Sequence, residues 1–214
     1  MNELQYTFLS DGASDRALMP VLTWLLHQHV PNCAIQSHWP DLRRLPRPRR
    51  ELHERIRAAV DLSRCDLLFI HRDAKTLSLR DRQTQVDEAV SLARQAVRLP
   101  PAIAVIPVRM TEAWLLFDVP AIRAAAGNPN GSVDLELPRL ADLEDIPDPK
   151  GVLHRAILDA REMGAHRRSR FNASSAIHRI AQYIEDFAPL RVLSAFAALE
   201  NRIQEAIRKH GWRQ

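Results

Sequence analysis

The sequence predicts an α/β protein with a mainly parallel sheet, followed by a helical C-terminal part. In the first half of the chain, short apolar runs alternate with helical patterns, which is typical of βαβ units around a parallel sheet. Beyond a loop-rich stretch at residues 127–149, apolar residues recur only at helical spacing. We therefore predict an α/β core over residues 1–125 and a loop and helical part over residues 126–214 that packs on the core.

Four apolar runs are strand candidates, and the second of them is the weakest. They cover residues 6–10, 33–37, 66–70 and 103–108. Helical stripes of apolar residues lie between and after these runs. They cover residues 18–26, 52–60, 86–97, 152–157, 177–187 and 193–207. We expect Ser14 to cap the first helix, although Pro20 conflicts with that helix unless it bends or begins later. We expect Thr111 to cap a short helix from Glu112 to Asp118.

The composition is that of a globular protein. With 46% hydrophobic and 26% charged residues among 214, it excludes extensive disorder, and two cysteines exclude a disulfide framework. No run approaches the roughly 20 apolar residues needed to span a bilayer. Residues 1–5 lack the basic and apolar regions of a secretory signal. We therefore expect a cytoplasmic protein without a membrane partner.

Acidic residues follow three of the predicted strands. Because ligands of a parallel α/β sheet bind beyond the carboxyl ends of its strands, these residues are expected to meet in one crevice. They are Asp11, Asp15, Asp73, Glu112 and Asp118. Carboxylates that meet in a crevice repel one another unless a cation lies among them, and their hard oxygen atoms suit Mg²⁺ or Mn²⁺. Such an ion can polarise a phosphoryl oxygen and activate a water, so the pattern predicts a metal site for phosphate chemistry.

A structural alternative accompanies each of these assignments. Asp11 precedes a glycine and can serve a turn, and Asp15 can complement a helix dipole. Glu112 can favour a helix start, and Asp118 can cap the next helix. His71, at the end of the strongest strand candidate, can be a core histidine with satisfied hydrogen bonds.

Basic residues suggest a phosphate-rich partner. The chain has 30 basic residues, and only three of them are lysines. Compositional bias of the genome is one explanation, and bidentate contact between guanidinium groups and phosphate is the other. Two arrays, at residues 43–50 and 166–170, are dense enough to hold a polyanion, with a solvated loop as the alternative for each. We assign phosphate or nucleic-acid contacts to Arg72, Arg109, Arg43, Arg44, Arg47, Arg49, Arg50, Arg167 and Arg168.

Three segments carry a resemblance to a known family. They are residues 8–15 (FLSDGASD), 68–73 (LFIHRD) and 106–118 (IPVRMTEAWLLFD). Together they resemble the DUF4276 group, a bacterial family of uncharacterised proteins that is grouped with TOPRIM-like folds. The resemblance covers about residues 6–120, and its third segment is the most specific.

The resemblance implies a Rossmann-like TOPRIM core whose acidic residues bind Mg²⁺ for phosphodiester cleavage or transfer. Asp11 would stand where TOPRIM proteins place a metal-binding or general-base glutamate. Asp73 would match the second aspartate of the DxD pair, with His71 in place of the first. The shorter side chain at the first position and the histidine at the second are departures from the family pattern. Relatives of the group also suggest, by association, a role in phage defence or in a mobile element.

The leading hypothesis from the sequence is a metal-dependent, nuclease-like enzyme. Asp11, Asp73 and Glu112 would hold Mg²⁺ or Mn²⁺, with Asp15 or Asp118 in support. Lys150 would join Asp11, Asp73 and Glu112 in the catalytic set, as a group that positions phosphates. The alternatives are a nucleic-acid or partner-binding module on a degenerate TOPRIM scaffold, and a small-molecule phosphotransferase or phosphatase. The sequence does not distinguish DNA from RNA as the bound nucleic acid, and it leaves open a protein partner or a homodimer.

Overall fold

The protein has a parallel four-stranded sheet, as the sequence predicts. The computed structural model describes residues 3–46, 49–162 and 173–212, and the statements below concern these residues. The strands are β1 (Glu3–Leu9), β2 (Ala34–His38), β3 (Leu67–His71) and β4 (Ala102–Val105). Their spatial order is β2-β1-β3-β4, and every neighbouring pair is parallel. The predicted α/β class with a helical C-terminal part is confirmed.

Helices connect the strands and make up the C-terminal part. They are α1 (Leu18–His29), α2 (Leu52–Leu62), α3 (Leu79–Arg94), α4 (Val119–Ala126), α5 (Pro149–Ala160), α6 (Ala173–Tyr183) and α7 (Ser194–His210). A 3₁₀ helix precedes α1 at Ser14–Ala17, and another follows β4 at Thr111–Leu115. No helix within the described ranges is both long and apolar enough to cross a membrane.

The sheet separates two hydrophobic clusters because side chains alternate between its faces. On one face, Tyr6 and Phe69 meet edge-on, with ring centroids 5.3 Å apart, and pack with residues of α1, α4, α5, α6 and α7. On the other face, Leu68 and Ile70 pack against α2 and α3. The C-terminal helices thus share one core with α1, in a three-layer arrangement.

Strand order places a topological switch at the centre of the sheet. The chain moves from β1 to β2 on one side, then crosses back to β3 on the other side of β1. In sheets of this kind the connections leave a crevice beyond the carboxyl ends of the two central strands, where ligands bind. The segments after β1 and β3 carry Asp11, Asp15 and Asp73, so the predicted site residues border this crevice.

Both helix caps expected from the sequence are wrong. The side chain of Ser14 caps neither the first 3₁₀ helix nor α1, and α1 begins later than expected, which brings Pro20 into its first turn. A proline there is tolerated because the first amides of a helix have no partner within it. Thr111 is not a cap either. It is the first residue of its 3₁₀ helix, Met110 has the cap position, and the Thr111 hydroxyl lies 3.2 Å from Nε2 of His71.

A carboxylate ties the loop region to the last helix. Glu144 accepts hydrogen bonds from the backbone N–H groups of Ser194 (3.1 Å) and Ala195 (2.9 Å) and from the Ser194 hydroxyl (2.6 Å). The first amides of a helix lack intrahelical partners, and a negative charge at this end is favourable. Glu144 therefore performs the capping of α7 from a distant part of the chain.

Replacing Glu144 by alanine should destabilise the protein by about 1–2 kcal/mol, because the start of α7 loses its acceptor. Chemical denaturation would measure the change in the free energy of unfolding. The matched control is Asp145→Ala, at the exposed neighbouring position, which should change that energy by less than about 0.5 kcal/mol. Equal effects of the two variants would contradict the capping role.

Candidate functional site

His71 is the centre of the crevice. It ends β3, its side chain is 1% exposed, and it projects to the same face of the sheet as Phe8, with ring centroids 6.1 Å apart. Its Nε2 lies 3.2 Å from Oδ1 of Asp73, and its Nδ1 lies 3.4 Å from Oδ2 of Asp15. The side chain thus lies between two carboxylates that come from different strand ends.

The partners of His71 are themselves held by backbone groups. The backbone N–H of Thr111 donates to Oδ1 of Asp73 at 3.0 Å, and that of Gly12 donates to Oδ2 of Asp15 at 2.8 Å. Thr111 belongs to the segment after β4, so residues that follow β1, β3 and β4 meet at one point. This connection explains why the Thr111 hydroxyl lies against the imidazole and does not cap a helix.

The electrostatics of this group favour an imidazolium ion. Burial by itself lowers the pKa of His71, but the contacts with Asp15 and Asp73 and their negative charges outweigh it and raise the pKa to about 9. Burial raises the pKa of Asp15, and the contact with His71 and the amide of Gly12 outweigh that effect, so the pKa is lowered. The group therefore carries one positive charge between two carboxylates at neutral pH.

Asp11 faces arginines and does not join the other carboxylates around His71. Its Oδ1 lies 2.5 Å from Nη1 of Arg55 and 3.0 Å from Nη1 of Arg72. Arg55 also donates to the backbone carbonyl of Ser10 at 2.6 Å. Burial raises the pKa of Asp11, but the two guanidinium groups together with His71 lower it below its ordinary value. Arg55, on α2, was not predicted from the sequence, whereas Arg72 was predicted at this edge.

The surroundings of Glu112 oppose its ionisation. It is buried in the 3₁₀ helix after β4, and burial is the main cause that raises its pKa. The negative charges of Asp73 and Asp15 add to this effect, while its own backbone amide and the charge of Lys150 act against it. The predicted role of Lys150 as a group that positions phosphates stays a prediction.

Asp118 has the role of a helix cap, which was the alternative for this residue. It precedes α4, and its Oδ1 accepts from the backbone N–H of Ala121 at 2.8 Å. In the described part of the chain, no hydrogen bond or ion pair of Asp118 reaches His71 or the residues that hold it. Its predicted part in metal binding therefore gains no support from its contacts.

The residues of the crevice do not fit a resident metal ion as they are arranged. Among the described residues, no group of three or more His, Cys, Asp or Glu side chains is placed to hold one. Asp15 and Asp73 share the imidazolium of His71, and Asp11 pairs with guanidinium groups. Cations of the protein itself thus supply part of the positive charge from which the sequence predicted a metal.

A basic pocket of about 260 Å³ adjoins Asp11. We call it the arginine pocket, and its lining residues are Ser10, Asp11, Trp39, Pro40, Asp41, Leu42, Arg43, Arg49, Arg50 and Arg55. Four arginines face two aspartates, which leaves the pocket positively charged. Arg43 pairs with Asp41 through two hydrogen bonds of 2.7 and 3.0 Å, and the exposed Arg44 lies 3.5 Å from the same carboxylate.

The other arginines that the sequence assigned to phosphate contacts have different outcomes. Arg109 follows β4 with a left-handed backbone (φ 64°), and its carbonyl accepts from the backbone N–H of Lys75 at 3.0 Å. Among the described residues, no contact of the Arg109 side chain supports or contradicts its assignment to phosphate. Arg47, Arg167 and Arg168 lie outside the described residues.

Comparison of the chain with protein-family models, with curated proteins and with solved structures found no match in any of the three. The functional interpretation therefore depends on the geometry of the crevice and of the arginine pocket.

The stability of the protein should fall as the pH rises from about 6.5 to about 9. The folded state holds the proton of His71 with a pKa of about 9, against an ordinary value of 6.5. The stabilisation of the folded state by the His71 proton is thus fully present below pH 6.5, and it is lost as the pH rises through the raised pKa of about 9. By linkage the loss is roughly 2–3 kcal/mol, measurable by chemical denaturation at a series of pH values.

Two variants make this assignment specific. His71→Gln should abolish most of the fall in unfolding free energy over that interval. His38→Gln, at an exposed position of β2, should retain it. A wild-type stability that is constant or increases between these pH values would show that His71 is not a buried cation.

Proposed function

We propose that this chain binds the phosphodiester backbone of a nucleic acid at the carboxyl edge of its sheet. The observation that carries the proposal is the arginine pocket beside the central crevice, where four guanidinium groups surround a space of about 260 Å³. Guanidinium groups bind phosphate oxygens through paired hydrogen bonds, and positive grooves supply most of the affinity for nucleic acids.

Two of the four guanidinium groups of the arginine pocket, those of Arg55 and Arg43, are held in place before a ligand arrives. Arg55 is fixed by Asp11 and the carbonyl of Ser10, and its side chain is only 14% exposed. The guanidinium of Arg43 lies 5.8 Å from the ring centroid of Trp39, a distance that allows a cation–π contact. Groups that are already ordered lose less conformational entropy on binding, which favours affinity.

Arg49 and Arg50 supply the charge that the protein does not neutralise. Both are exposed, and no hydrogen bond or ion pair engages either of them within the described ranges. The space of about 260 Å³ that they border is of a size for single phosphate groups and is far smaller than a duplex. The proposed contact is therefore with individual backbone phosphates, through Arg43, Arg49 and Arg50 of the predicted basic array, whereas Arg44 does not line the pocket.

The double variant Arg49→Gln/Arg50→Gln should bind nucleic acid about tenfold more weakly than the wild type. Each lost phosphate contact should also reduce the slope of log affinity against log salt concentration by about 1. Fluorescence anisotropy with labelled DNA and RNA, single- and double-stranded, measures both quantities.

The matched control is Arg202→Gln/Lys209→Gln. These two cations line a cavity with Ala102, the first residue of β4, at the opposite edge of the sheet. This variant removes the same charge and should bind as the wild type does. Equal weakening by the two double variants would mean that only net charge matters, and it would refute a site at the arginine pocket.

Cleavage of the bound strand is the second candidate function. It is favoured by the positions of Asp73 and Glu112 in the segments after β3 and β4, and by the charge of Lys150, which acts on Glu112. The resemblance to the DUF4276 group and TOPRIM-like folds supports the same reaction class, with Mg²⁺ or Mn²⁺ as the expected cofactor. Because the carboxylates already pair with protein cations, we derive no catalytic step through a metal ion.

Cleavage, where present, should be lost in Asp73→Asn. Asparagine keeps the oxygen that accepts from the Thr111 amide but removes one charge partner of His71, so the free energy of unfolding of the variant is measured beside its cleavage rate. A carboxylate that acts in the reaction should slow it at least about 100-fold when removed. The measurement is hydrolysis of DNA and RNA strands with Mg²⁺ or Mn²⁺, with the exposed α2 residue Asp61, changed to Asn, as control. Unchanged rates in Asp73→Asn would contradict the assignment. Salt-sensitive binding by the wild-type protein without any hydrolysis would exclude cleavage and support nucleic-acid binding as the function.

A further inference from the structure

A second cavity lies outside the crevice and the arginine pocket. It has a volume of about 730 Å³ and lies between α1 and α6, beside the edge strand β2. Pockets that bind small organic ligands measure about 300–1,000 Å³. Residues 16, 19, 20, 23, 24 and 27 form its first wall, at the spacing of a single helical stripe. The fully buried residues of α1 occupy a different stripe, while Met19 and Trp24 on this face are half-buried against the core.

The deeper part of the cavity is aromatic and apolar. Trp24 of α1 and Phe187, which follows α6, meet edge-on with ring centroids 5.9 Å apart. Ile184 and Met19 extend this surface on either side. Phe187 itself is buried, and the guanidinium of Arg191 lies 5.2 Å from the ring centroid of Trp24. The surface open to a ligand is therefore the remaining part of the half-buried Trp24 indole, which can pair edge-to-face or in an offset stack with a flat aromatic ring.

Neutral hydrogen-bonding groups surround the aromatic wall. Ser37 contributes a hydroxyl from β2, and Gln182 contributes an exposed amide from α6. His178 lies one turn before Gln182, and burial together with the charge of Arg16 lowers its pKa, while Asp15 acts in the opposite direction. A neutral imidazole donates through one nitrogen and accepts through the other, as an amide group also does with its two ends. This set matches a ligand that carries donors and acceptors on the edge of a ring.

Arg16 supplies a positive charge at the mouth of the cavity. It is exposed, and its guanidinium lies 5.2 Å from the ring centroid of Trp39. Trp39 lines the arginine pocket on its other side, so the two cavities adjoin at this cation–π contact. A ligand whose ring occupies the cavity can therefore place an attached phosphate against Arg16.

We propose that the cavity between α1 and α6 binds a nucleotide, with its base against Trp24 and its phosphate at Arg16. A free mononucleotide and a single unstacked nucleotide of a strand offer the same chemistry, and the experiment below separates them. The inference goes beyond the proposed function, because the cavity does not depend on contacts within the arginine pocket.

The test is calorimetric binding of the four ribonucleoside monophosphates to the full chain. At least one of them should bind, and Gln182→Trp, which fills the cavity from an exposed position, should weaken that binding at least tenfold. Arg16→Gln should weaken it about tenfold through loss of a charged hydrogen bond, without changing the affinity for the corresponding nucleoside. The control is Tyr183→Trp, at the exposed neighbouring position outside the cavity, which should bind as the wild type does.

Two results would overturn the proposal: no binding of any monophosphate at millimolar concentration, or unchanged binding in both Gln182→Trp and Arg16→Gln. Should Gln182→Trp fail to fold, Arg16→Gln carries the test alone. Displacement of the bound monophosphate by a single-stranded oligonucleotide would identify a strand as the source, and lack of displacement a free nucleotide. The Arg49→Gln/Arg50→Gln variant should retain monophosphate binding, so a failure of the proposed function can be recognised separately.

Discussion

The carboxyl edge of the sheet depends on one buried ionic group, the imidazolium of His71 between Asp15 and Asp73. A charge in this position would cost several kcal/mol in lost hydration if its partners were removed. Each carboxylate also accepts a backbone amide, one from Gly12 and one from Thr111. The segments after β1, β3 and β4 therefore hold one another in place, and the crevice that they border has a defined shape.

This ionic group determines what the edge of the sheet can bind. Asp15 and Asp73 share the single positive charge of His71, and Asp11 pairs with Arg55 and Arg72, so three of the acidic residues that predicted a metal already have cations of the protein beside them. The charge that is left over is positive and comes from arginines at the rim. An anionic ligand therefore suits this surface, and the two cavities adjoin where the guanidinium of Arg16, in the 3₁₀ helix before α1, lies 5.2 Å from the ring centroid of Trp39.

Sequence patterns predicted the strands and the positions of most site residues, because these follow from local regularities. Parallel strands expose their carboxyl ends at one edge, so residues that follow β1, β3 and β4 had to meet. The partners of the carboxylates were not predictable in this way. Arg55 reaches Asp11 across 44 positions only because α2 packs over the sheet, and Thr111 turns towards His71 only because β4 lies beside β3. Long-range packing, which the pattern of single residues does not contain, decides both contacts.

Nitrogen NMR titration of the His71 ring in the wild-type protein tests the central claim most directly. A buried imidazolium predicts that both ring nitrogens are protonated at neutral pH, with a midpoint near pH 9. A neutral ring at pH 7, with a midpoint at or below the ordinary 6.5, would show that the carboxylates lack this cation. Another cation would then have to balance the carboxylates of the crevice, and the metal ion predicted from the sequence would again be the leading candidate.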